Sequence, residues 1–204
     1  MTERPVVEVD EGIAPTGALV VNCFPSVGFV SSIVAHYLIE KLELKLVGGV
    51  SHPKLPAMCL VQDGKPLPPL RFYSGEPICN LERCDKVILI VSEVQIDNQI
   101  KMGLARSLMD WNKESGSGIS IMIDSFAKNN KEGHTILDDD DKDTTMLGIG
   151  STDVAIKTLE EIGLPLLKHG IVGGMTGVMM GESRRRGLDS LAILAESSGG
   201  PIEG

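Results

Sequence analysis

Residues 86–123, KVILIVSEVQIDNQIKMGLARSLMDWNKESGSGISIMI, decide the fold class, because they read as a strand, a helix and a second strand in direct succession. Val87 to Val91 is an apolar run without polar alternation, the pattern of a strand covered on both faces. Ile96, Ile100, Leu104, Leu108 and Trp111 then recur at helical spacing and form one apolar stripe. Gly116-Ser117-Gly118 stops that helix, and Ile119 to Ile123 begins the next strand. Continuous apolar strands separated by amphipathic helices predict a largely parallel sheet with helices on both faces.

The same alternation extends outward. Upstream, Gly17 to Cys23 reads as a strand, and Phe29, Val30, Ile33, Val34, Tyr37, Leu38, Lys41 and Leu42 repeat at helical spacing. Leu46 to Val50 is a further strand, and Ala57 to Val61 another that ends in the turn Asp63-Gly64. The segment from Pro66 to Pro77 holds four prolines around Leu70, Phe72 and Tyr73. Proline has no ladder donor, so this segment is expected on a sheet edge or as an arm, with its apolar side chains available to a partner. Downstream, Thr152 to Ile162 is a helix with Thr152 and Asp153 at its positive end. His169 to Val172 is a strand, a helix runs to about Arg186 with Gly187 as its stop, and Leu188 to Ala195 is the last strand.

The length of 204 residues, 42% of them apolar, fits one α/β domain, with an extended N-terminal segment over 1–16 and an acidic loop or hairpin over 127–145. Nineteen basic against 28 acidic residues give a net charge of −9, and there are only one Trp, two Tyr and four Phe. Phosphate tracking and base stacking need the opposite, so nucleic acid is excluded as a partner. No apolar run approaches the roughly 20 residues that span a bilayer, and the first residues carry no basic-then-apolar signal pattern. The chain is expected to be soluble and cytoplasmic.

Metal and cofactor signatures are incomplete. Cys79 and Cys84 are four residues apart without a second half-site, the four histidines are scattered, and the cysteines are expected as buried reduced thiols. The run Asp138 to Asp141 lacks the alternation of a calcium loop and reads as a solvated stretch. No metal or cofactor is expected.

Open parallel sheets present ligand sites at the carboxyl ends of their strands, and three segments fall there. The first is Asn22-Cys23-Phe24-Pro25-Ser26-Val27-Gly28, where Ser26 can cap a helix, hold an anion or act as a nucleophile. A nucleophile elbow wants Gly two positions either side of the serine; Phe24 breaks that pattern and Gly28 fits it, which favours capping. The second runs from Gly173 to Glu182, with Gly173, Gly177 and Gly181 on one helical face. Close packing is the favoured role of those glycines, and anion binding by the backbone of Gly174 to Thr176 the alternative. The third places Glu93, near Asp97, beside Asp124-Ser125, where converging carboxylates would share a proton or strand-end acids would cap their turns. Arg184, Arg185 and Arg186 close a helix at its negative end and read either as a solvated terminus or as a surface for an acidic partner.

At these residues the chain resembles the proteasome assembly chaperone family, especially its archaeal members. The likeness rests on PSVGFVSSIVAHYLIEKL, VILIVSEVQ and GIVGGMTGVMMGESRRRG with LAILAESSG, and covers most of residues 17–198. It implies a three-layer α/β/α fold similar to the nucleoside phosphorylase-like scaffold without that class's activity, homo-oligomers, and binding of proteasome α-subunits during ring assembly. It also implies a helical segment after the position of 197–201, and in some archaeal relatives a hydrophobic-Tyr-any tail, which Pro201-Ile202-Glu203-Gly204 does not match.

Two function classes follow. In the first the chain is a non-catalytic assembly factor whose oligomeric surface, with Leu70, Phe72, Tyr73 and Arg184 to Arg186, binds protein. Met175, Met179 and Met180 then serve either as an adaptable contact or as core. In the second it is a small-molecule hydrolase or transferase of nucleoside or phosphate type, with Ser26, Gly28, Glu93, Gly174 and Thr176 around one pocket.

Overall fold

A computed structural model of the chain describes residues 4–13, 15–76, 86–127, 136–137 and 145–197. Its centre is the strand–helix–strand unit that opens the sequence reading: β7 (Val87–Ser92), α2 (Asn98–Glu114) and β8 (Ser120–Ala127). Around it stand β1 (Val6–Val9), β2 (Leu19–Cys23), α1 (Val30–Lys41), β3 (Lys45–Ser51) and β6 (Leu70–Gly75). Downstream come β10 (Met146–Gly150), α3 (Asp153–Glu161), α4 (Gly174–Arg186) and β12 (Ser190–Ser197). These strands form one eight-stranded mixed sheet in the order β1-β3-β6-β7-β2-β8-β12-β10.

The parallel ladders join the four central strands, β7-β2-β8-β12. Both margins are antiparallel: β6, β3 and β1 on one side and β10 on the other. The central strands carry the near-continuous apolar runs, as burial on both faces requires. Val20, Ile88, Ile90 and Met122 pack in the layer with Leu104 of α2 and Met179 of α4. The alternate residues Val21, Leu89 and Val91 pack with Ala35 of α1, and Leu191 packs with Leu159 of α3. Register sets Val21, Ile121 and Leu191 in one row, so α1 and α3 share a face of the sheet opposite α2 and α4.

Several expectations are corrected. The proline-rich segment divides, its first part peripheral as expected and its apolar part, against expectation, inside the sheet. Pro66, Pro68 and Pro69 fall in or just after a small hairpin, β4 (Leu60–Gln62) with β5 (Lys65–Leu67), and β6 behind them contains no proline and pairs on both sides. That hairpin lies outside the main sheet, so the strand expected at 57–61 is shorter, later and peripheral. The N-terminal segment contributes β1, an edge strand, which four residues of alternating exposure revealed only weakly. The strand read at 169–172 is β11 (Gly170–Ile171), paired with β9 (Ile136–Leu137) away from the main sheet. The acidic run 138–143, Pro77, Cys79 and Cys84 lie outside the described residues.

Candidate functional site

The carboxyl ends of β2, β7 and β8 meet the start of α1, and the hydroxyls there bond inward. Ser26 leaves β2 in an extended conformation, and its Oγ accepts the Ser31 N–H at 3.0 Å. That bond gives an acceptor to an amide in the first turn of α1 from five residues upstream, while Phe29 holds the N-cap position itself. Ser31 Oγ in turn donates to the Ile123 carbonyl at 2.7 Å, and Ser125 Oγ donates to the Val27 carbonyl at 2.7 Å. Gly28 has φ of 64°, and a Cβ there would stand 2.0 Å from Ser197 Oγ. A left-handed residue without a side chain is therefore required where the β2–α1 turn touches the end of β12.

Glu93 follows β7 and is held by Arg71 of β6. Arg71 Nη2 donates to Glu93 Oε1 at 2.5 Å and Nη1 to Oε2 at 2.8 Å, a bidentate pair. The guanidinium is 1% exposed, and it also donates to the Tyr73 hydroxyl at 3.1 Å and the Pro68 carbonyl at 3.3 Å. Burial alone would push the Glu93 carboxyl up, but the hydrogen bonds and charge of Arg71 bring it below the usual carboxylate range. His36 of α1 completes the cluster, with Nε2 3.1 Å from Glu93 Oε1. The proton-sharing pair of carboxylates considered from the sequence is thus replaced by a carboxylate–guanidinium pair.

Gly174 and Thr176 start α4 in the opposite helical layer, and Thr176 is buried. Among the spaced glycines Gly177 serves close packing, since a Cβ there would meet the Val172 carbonyl oxygen at 2.0 Å, whereas Gly181 faces open space. Among the described residues no hydrogen bond or ion pair joins any two of Ser26, Gly28, Glu93, Gly174 and Thr176. None of the five lines the cavities of about 350, 400 and 330 Å³ found along α2.

The apolar residues offered as a protein-binding arm are core. Leu70 and Phe72 are fully buried and Tyr73 nearly so, with the Phe72 ring edge-on to Trp111 at 5.0 Å. Met175, Met179 and Met180 are likewise buried. Cys23 is buried, its thiol pushed up to about 12 by desolvation, while Cys59 is exposed, against the expectation for it. The arginines at the end of α4 are tied into a network. Arg185 and Arg186 bond the buried Glu182 at 2.5 and 2.9 Å, Arg186 reaches Asp110 of α2 at 2.6 Å, and Arg184 Nη1 donates to the Ser151 carbonyl at 3.0 Å. Arg106 and Arg4 join from α2 and the N-terminal segment, on Glu182 and Asp110.

A sequence profile of the PAC2 family matches residues 20–200. The chain belongs to the PAC2 family. Among relatives of this PAC2 chain, an uncharacterized protein of Methanocaldococcus jannaschii is 23% identical over 181 residues, 89% of this chain and 67% of that protein. In structure the PAC2 chain is similar to Pyrococcus furiosus PbaA, an archaeal homolog of proteasome-assembly chaperone. The TM-score is 0.77 at 26% identity, over 96% of this chain and 77% of that one. Pyrococcus furiosus PbaB, an archaeal proteasome activator, gives a TM-score of 0.75 at 15% identity over 98% and 83%, a likeness of fold alone. The family placement agrees with the resemblance read from the three sequence motifs.

Sequence reading missed the partners of the two key carboxylates. Arg71 was detectable as a charged residue inside the apolar stretch Leu70 to Tyr73. Glu182 stands three and four residues before Arg185 and Arg186, the helical spacing for ion pairs.

Proposed function

We propose that this PAC2 chain is a cytoplasmic assembly factor of the proteasome-assembly-chaperone type, which works as a homo-oligomer by binding proteasome α-subunits and performs no chemistry of its own. The observation that carries this reading is how the strand-end groups are engaged. Ser26 bonds the Ser31 amide of α1, Gly28 makes room for Ser197, and Glu93 is clamped by a buried arginine. A nucleophile needs an adjacent base and a general acid–base group needs a pKa near the working pH; Glu93 is shifted away from that range. Kinship with PbaA supports the partner class. The outer side of α1 supports association, because Phe29, Ile33 and Tyr37 are exposed at four-residue intervals and form an apolar stripe.

Native mass spectrometry of the chain, alone and mixed with archaeal proteasome α-subunits, tests the reading. It predicts a multimer of the chain and a discrete mixed species. Free components at every ratio, or a marked thermal shift with a nucleoside or with phosphate, would contradict it.

A further inference from the structure

The cleft between the N-terminal segment and α2 has a composition unlike the rest of this acidic chain. It is a cavity of about 400 Å³ whose lining includes Arg4, Arg106 and His52, the amide of Gln99, and the apolar Ile100 and Met102, with no Asp or Glu among the described residues. The surrounding ion pairs do not balance. Among the described residues, four guanidiniums (Arg4, Arg106, Arg185 and Arg186) share two carboxylates, Asp110 and Glu182. Among the described residues Arg106 bonds through its Nε, on Glu182 at 3.3 Å, and is half exposed; Arg4 bonds Ser107 and Asp110 and is likewise exposed. Lys54 adds a further cation beside the cleft through its bond to Gln99. In a chain of net charge −9, a concave surface with surplus arginine donors is a local reversal of field.

We propose that this cleft docks an acidic segment of a partner polypeptide, its carboxylates on Arg106 and Arg4 and an apolar side chain against Met102 and Ile100. The planar guanidinium fork matches a carboxylate in two hydrogen bonds, and the exposed Met102 supplies an adaptable apolar wall. Charge complementarity with Arg106 and Arg4 selects an acidic occupant, and the test separates a partner's segment from a second copy. The inference rests on the protein-binding role proposed above and assigns it a surface.

The test is a calorimetric titration of the whole chain with a peptide of about eight residues alternating Glu and Leu, with its Gln–Leu counterpart as control. The acidic peptide is expected to bind, to weaken as NaCl rises from about 50 to about 200 mM, and to bind R106E about tenfold more weakly. R106Q gives the intermediate value, and K157E, on exposed α3 across the sheet, stays within about twofold of the parent. Circular dichroism and an unchanged melting temperature verify the fold of each variant. No saturable binding, equal binding by R106E, equal loss in K157E, or equal binding of the Gln–Leu peptide would overturn the proposal. Complete displacement by equimolar inorganic phosphate would also overturn it, as would sedimentation in which R106E, unlike the parent, loses its oligomer. A complex with α-subunits that forms equally with the parent and R106E overturns this inference and leaves the assembly role standing. Peptide binding lost in R106E, without any α-subunit complex, upholds the cleft and removes that partner.

Discussion

Two arginine–carboxylate clusters stand on opposite sides of this molecule's functional question. At the strand ends one buried guanidinium meets one carboxylate in a bidentate pair, with Tyr73 and a backbone carbonyl taking two further donors. Along α2 and α4, among the described residues, the guanidiniums of Arg4, Arg106, Arg185 and Arg186 share the carboxylates of Asp110 and Glu182, and Arg4, Arg106 and Arg185 are half exposed or more. The strand-end cluster has the residue types of a catalytic site and the connectivity of a structural fastening. The interhelical cluster has the sequence of an ordinary helix terminus and the charge surplus of a recognition surface. Residue type alone does not separate these roles; the ratio of donors to acceptors does.

The contrast is broken most forcefully at Arg71. Arg71→Ala leaves Glu93 without its main partner beside the core, and should cost about 3 to 5 kcal/mol in urea unfolding. Replacing both partners, Arg71→Met with Glu93→Leu, should recover most of that loss. In the open cluster Arg106→Ala should cost less than about 1 kcal/mol, since its pair is exposed and Glu182 keeps two other arginines. Equal losses at the two sites would erase the distinction.

Next in size is Gly177→Ala, whose methyl group would be driven into the Val172 carbonyl oxygen. It should destabilise by about 1 to 3 kcal/mol, whereas Gly181→Ala, facing open space, should be neutral or slightly stabilising. Comparing their melting temperatures separates glycine needed for packing from glycine that merely shares its spacing.

Acid titration sharpens the comparison further. The hydrogen bond from Arg185, reinforced by Arg186, holds the Glu182 carboxyl at about 2 against an ordinary 4.5. A depressed carboxylate contributes stability that is complete above about 4.5 and is lost as pH falls toward about 2. Glu93 and Asp110 are shifted in the same direction, so the urea midpoint should fall with pH through the acid range. Glu182→Gln should flatten that fall. A modest effect is expected from Ser26→Ala, which removes one acceptor from the start of α1 and should cost about 1 kcal/mol.

The central architecture was legible because strands buried on both faces must be continuously apolar and the helices between them must carry a stripe, as residues 86–123 do. The margins were not. β1 and β10 are short antiparallel edges rich in glycine or alternating side chains, and β6 was masked by prolines that cluster just ahead of it. At the strand ends Ser26 bonds the Ser31 amide, in keeping with the structural role favoured from the sequence over a nucleophilic one. Their connectivity was hidden because Glu93 draws its partner from a strand 22 residues upstream. The arginine cluster joins α4 to α2 across 76 positions, a distance over which sequence carries no pairing signal without the fold.

The most direct measurement is the dissociation constant for archaeal proteasome α-subunits of Ser26→Ala and Arg106→Glu, determined side by side with the parent chain. A surface-acting assembly factor predicts Ser26→Ala within about twofold of the parent and Arg106→Glu weaker by about tenfold. The reverse order, or α-subunits that bind none of the three, would contradict it.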